Sequence, residues 1–69
     1  MDLVRVHLSL YSNGALVVSQ DCALYAADWA SMQASTDNAV ISGSDGKPIV
    51  TQSQVTPEGR VSVAIYQES

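Results

Sequence analysis

The chain is poor in the residues that usually carry chemistry or brace a small fold. It has one cysteine and one histidine in 69 residues. A lone cysteine, Cys22, rules out an internal disulfide. Cys22 and His7 together are a meagre supply of zinc ligands, so neither a metal nor another cofactor is expected. Positive charge is also scarce: Arg5, Lys47 and Arg60 stand against seven acidic residues, for a formal net charge of −4. An acidic chain repels phosphate, which argues against a nucleic-acid partner. The acids are spread evenly and form no run, so mimicry of nucleic acid is disfavoured too. No stretch approaches the roughly 18 consecutive apolar residues of a membrane span, and no membrane partner is expected. The start, Met1-Asp2-Leu3, is acidic where a secretory leader is basic. With a free cysteine, this points to a cytoplasmic protein.

What is present is apolar: hydrophobic residues make up 46% of the chain and charged residues 14%. That is too apolar for disorder and sparse in charge for a small free monomer. Residues 1–69 fit one domain, and a chain this short buries only about 60% of its unfolded surface. Scaffolds of this size generally lean on disulfides, metals or oligomerisation. Here oligomerisation, or folding onto a partner, is the aid that remains.

Three turn signals organise the chain. Asn13-Gly14 and Asp45-Gly46 are two-residue hairpin signals, because both central positions favour positive φ. Thr56-Pro57-Glu58-Gly59-Arg60 reads as a three-residue loop, with Gly59 in a left-handed position. Strands rich in Val, Ile, Thr and Tyr are predicted over 3–12, 15–20, 38–43, 48–55 and 60–67. Pro48 lacks a ladder donor and belongs at a strand start or edge. Between the second and third strands, residues 21–35 predict a helix. Asp21 would be its N-cap, and Cys22, Tyr25, Ala26, Trp29 and Met32 its apolar stripe. Asn38 offers a left-handed stop. The order ββαβββ predicts an α+β fold, with one helix packed on an antiparallel sheet of about five strands. Strand orders 2-1-5-4-3 and 2-1-3-4-5 are both compatible.

Hairpin geometry then sorts the faces. Two-residue loops would set Leu10 opposite Val17, Ser9 opposite Val18 and His7 opposite Gln20. The three-residue loop would set Val55 opposite Val61 and Val50 opposite Tyr66. Val4, Val6, Leu8 and Leu10, with Ile49, Val55, Val63 and Ile65, would then meet the helix. Tyr11, Leu16, Val18, Ile41, Val50 and Tyr66 would gather on the far face. A sheet of five strands is about 24 Å wide, and one helix about 10–12 Å across leaves that second face bare. Large apolar patches on small proteins mark interaction sites. Curling of the sheet into a small barrel, or plain exposure, are the alternatives.

No residue set reads as an active site. Cys22 at a helix N-terminus would favour a reactive thiolate, but a catalytic thiol needs a base, and His7 falls on the opposite face. Asp21 and Asp28 read as cap and solubilising residue. Gly43-Ser44-Asp45-Gly46-Lys47-Pro48 lacks the phosphate-loop pattern and precedes a strand. Trp29 and Met32 read as core. The expectation is a non-enzymatic protein-binding module, homodimeric, that works by occupying a surface. By analogy with small acidic accessory proteins of bacteria and bacteriophages, it would inhibit or redirect a larger complex. A structural subunit of a viral assembly is the alternative, followed by a small thiol-based enzyme or sensor.

Overall fold

A computed structural model describes residues 2–68; Met1 of the acidic start lies outside them. The elements are β1 (Leu3–Ser12), β2 (Ala15–Tyr25), α1 (Ala26–Ala34), β3 (Ala39–Ser42), β4 (Pro48–Thr56) and β5 (Gly59–Gln67). All strand pairs are antiparallel, and they form one five-stranded sheet in the order β2-β1-β5-β4-β3. The single helix packs on one face, so the fold is α+β as the sequence predicts, with the first of the two compatible strand orders. No helix among the described residues is long and apolar enough to cross a membrane.

The helix is shorter than expected because β2 is longer. Residues 21–25 pair with β1, from His7↔Asp21 to Leu3↔Tyr25. Ten-residue β1 would otherwise leave a row of backbone groups without partners, and that need overrides the local alanine preference for helix. Asp21 is therefore a strand residue rather than an N-cap. The N-cap position falls to Tyr25, which has extended backbone and makes no side-chain cap bond. Ala26 N–H donates instead to the Asp2 carbonyl at 3.0 Å, which occupies one orphan donor of the first turn. At the other end Asn38 does act as a stop, but through its side chain: Nδ2 donates to the Met32 carbonyl at 3.2 Å. The only non-glycine residue with positive φ among those described is Asn13.

Three registers differ from expectation, and each difference moves side chains between faces. Asn13 (φ 52°) and Gly14 (φ 84°) form the expected tight turn. Beyond it a bulge between Leu10 and Tyr11 makes Val17 the extra residue, so Leu10 faces Val18 and Val6 faces Cys22. Without that bulge the helix side would receive Ser19 and Asp21. With it, the helix side receives Cys22 and Leu24, and Asp21 stays wet. The second turn closes tighter than predicted. Thr56 pairs with Gly59 across Pro57-Glu58, and Thr56 Oγ1 donates to the Gly59 carbonyl at 2.8 Å. Val50 therefore faces Ile65, and Ile49 faces Tyr66. The third loop is longer than two residues. It spans Gly43 to Lys47, and Lys47 N–H donates to Asp45 Oδ1 at 3.0 Å, giving Val40↔Val50 and Ile41↔Ile49. Pro48 opens β4, as a residue without a donor should.

The core is small: Val6, Trp29, Val50 and Ile65 are buried, with Val4, Leu8, Cys22, Leu24, Met32 and Val63 packed around them. Trp29 is the one buried residue of α1. A nine-residue helix is about 14 Å long, so it covers only part of even its own face. The molecule is accordingly drawn out, 39 × 24 × 24 Å, with a radius of gyration of 12.4 Å; a compact domain of this length has about 11 Å.

Candidate functional site: the helix-distal face

The corrected registers decide which predicted site residues share a surface. Tyr11, Leu16, Ile41 and Tyr66 do lie on the face away from the helix, by their ladder positions. Val50 does not. The tight Pro57-Glu58 turn brings it to the helix side, where it is 2% exposed in the core. Val18 is turned to the helix side by the bulge opposite Leu10. Ile49 and Val55, expected under the helix, take places on the distal face instead, and Val55 is 69% exposed.

This face has two unlike regions. Its middle is a shallow depression of about 390 Å³ with small side chains along it, Ala39, Thr51, Ser53, Ser62 and Ala64, beside half-buried Tyr11. Ser9 belongs to the same face and is nevertheless buried, so its larger neighbours shelter the floor. Leu16, Ile41, Val55 and Tyr66 stand exposed around it.

The second region is a polar cluster at the end of the sheet where β1 begins. His7 and Asp21 are directly opposed, and Ser19 is two residues from Asp21 on the same strand face. His7 Nδ1 lies 2.7 Å from Asp21 Oδ1, and its Nε2 lies 2.7 Å from Ser19 Oγ. An ionised carboxylate only accepts, so with Asp21 charged Nδ1–H donates to it and Nε2 accepts from the Ser19 hydroxyl. Tyr66 sits across from His7 with ring centroids 5.2 Å apart. Glu68 completes the group. Its N–H donates to the Arg5 carbonyl at 2.9 Å, extending the β1–β5 ladder, and its carboxylate lies 3.8 Å from Arg5 Nε.

The two carboxyls influence each other. The hydrogen bond from His7 holds the Asp21 carboxyl below its usual value, and a hydrogen bond with Glu68 lowers it further. That same bond with Asp21 pushes Glu68 up. Two close carboxyls split in this way, the one better supplied with donors going down and its neighbour going up.

The register expected from the Asn13-Gly14 turn sets His7 opposite Gln20 and so does not bring this cluster together. A signal was there to find. Ser19 and Asp21 are two apart in an alternating strand, so any register that sets one beside His7 brings the other near. Hydroxyl, imidazole and carboxylate stand in the order of an activated serine. The neighbouring depression, however, is lined by Arg5, Asp45, Tyr66, Gln67 and Glu68, and neither Ser19 nor His7 belongs to its wall. Cys22, expected at the helix N-terminus, instead lies within β2 opposite Val6 on the helix side, across the sheet from His7. Comparison with protein families, characterised proteins and solved structures finds no match to this chain.

Proposed function

We propose that this chain is a non-enzymatic protein-binding module that pairs with a second copy of itself through the helix-distal face of its sheet. One observation carries the reading: α1 shields a single face, while Leu16, Ile41, Val55 and Tyr66 stand exposed on the other. Surface area points the same way. The chain exposes 4719 Å², whereas a compact monomer of its 7.3 kDa is expected to expose about 4,200 Å². Five strands at about 4.8 Å spacing and nine residues at about 3.3 Å give a face of roughly 700 Å², near the ~800 Å² per partner of a stable dimer.

Charge favours a second copy over an unrelated surface. Arg60 lies near the start of β5 on the distal face, while Asp21 and Glu68, with Arg5 beside Glu68, lie at that strand's far end. A two-fold axis through the middle of the face would set Arg60 of one copy against the acidic end of the other. Sedimentation over a wide concentration range tests the reading. The expected result is a dimer that Tyr66→Asp converts to folded monomer. A monomer at all concentrations would overturn it.

The edge strand β2 supports a second reading. It is eleven residues long, exposed from Ala15 through Asp21, and carries no lysine or proline to discourage pairing. Pairing through this edge would leave the dimer insensitive to Tyr66→Asp.

A further inference from the structure

We infer that His7, Asp21 and Glu68 form a binding site for one divalent transition-metal ion of the zinc class. One ligand atom from each lies within 4.8 Å of the other two, so small side-chain rotations bring all three onto a common ion. The three come from adjacent strands: His7 from β1, Asp21 from β2 and Glu68 from the residue after β5. Their spacing is therefore set by the sheet. Glu68 is held by its N–H bond to the Arg5 carbonyl, so its backbone needs no further ordering.

The donor set selects the ion. An imidazole nitrogen with two carboxylate oxygens suits zinc, copper or nickel, whereas magnesium and calcium prefer oxygen alone. Three protein ligands with a fourth position open to solvent is the common pattern of a zinc site that is not purely structural. Ser19 supplies the outer partner such a ligand needs. With Nδ1 on the ion, Nε2–H donates to Ser19 Oγ at the 2.7 Å already present, which fixes the tautomer and the ring plane. Tyr66 stacks near the ring and further limits its rotation. Asp21 is exposed and Glu68 borders an open depression, so solvent reaches the carboxylate side of the site. Arg5 competes for Glu68. Its side chain is 77% exposed and the 3.8 Å contact is loose, so it moves aside readily.

The test is calorimetric titration of the whole chain with Zn²⁺ in a non-coordinating buffer, with circular dichroism to confirm that each variant is folded. The expected result is saturable binding of one ion per chain. His7→Ala and Glu68→Gln should each weaken it by at least about tenfold, and Ser19→Ala by about tenfold through the outer hydrogen bond. Cys22→Ser should bind as the parent does, and millimolar Mg²⁺ should not displace the ion. Absence of saturable binding would overturn the site. So would full binding by folded His7→Ala and Glu68→Gln, or loss of binding in Cys22→Ser. Arg60 of a second copy would meet the same Asp21 and Glu68 carboxylates, so the titration is run at concentrations where sedimentation shows the monomer, and failure of the site is then distinguishable from failure of the dimer reading.

Discussion

The two faces of the sheet are built on different plans. Beneath the helix, Val6, Val50 and Ile65 meet Trp29 in a dry aliphatic cluster. On the far side the same strands present small residues in the middle, apolar side chains around them and a cluster of titratable groups at one end. A face that served only as a solvated exterior would have no need to leave Leu16, Ile41 and Val55 more than half exposed. A face that served only as core would not carry His7, Asp21 and Glu68. The contrast teaches that α1 covers one face of the sheet and leaves the other bare, and the proposed self-association rests on that bare face.

The sharpest way to break this contrast is to place the same charge on each face. Val50→Asp puts a carboxylate in the core beside Trp29 and should abolish folding, since burying an unpaired charge far exceeds the stability of so small a domain. Tyr66→Asp should leave circular dichroism and urea unfolding of the monomer nearly unchanged, and act only on association. Equal damage from both would erase the distinction. Next in size is Trp29→Ala, which removes the helix's one buried anchor and should cost about 3–5 kcal/mol by urea denaturation.

Gly59 tests how the ends of the sheet are fixed. Its φ is 131°, and a Cβ there would collide with Asn13 Oδ1, the acceptor of the Arg60 N–H. Gly59→Ala should cost about 1–3 kcal/mol through backbone strain and the displaced Asn13 side chain. Gly14 also has positive φ but open space around it, so Gly14→Ala should cost less, about 1 kcal/mol. The smallest effect concerns the acids. By carbon-detected NMR titration, Asp21 should have its midpoint below the ordinary aspartate value, and Glu68 above the ordinary glutamate value. The signs oppose. Asp21 adds stability above its unfolded pKa that is lost as pH falls through its lowered folded value. Glu68 favours the folded state below its unfolded pKa, a contribution lost as pH rises through its raised folded value. Stability should therefore change little near about pH 4, around the ordinary carboxyl range.

Element order and class were legible because turns and alternation carry them. Asn13-Gly14, Pro48 and the Val-rich strands stand where local chemistry puts them. Register was not legible, because a single residue in a loop decides it. The bulge at Val17 and the tight Pro57-Glu58 turn each shift pairing by one, and a one-residue shift inverts a whole face. That is why Val18 and Val50 leave the distal surface while Ile49 and Val55 join it. The helix start is ambiguous in sequence because Cys22-Ala23-Leu24-Tyr25 satisfies both periods at once. Only the length of β1 decides between them. The His7 cluster was hidden by the same register error, since its members come from three strands and are nowhere adjacent in sequence.

Isotope-filtered NMR on a mixture of labelled and unlabelled chain tests the central claim most directly. Intermolecular contacts from the side chains of Ile41, Ile49, Ala64 and Tyr66, and none from Val6, Val50 or Ile65, are the predicted result. Intermolecular contacts confined to the β2 edge, or none at concentrations where a dimer would be saturated, would contradict it.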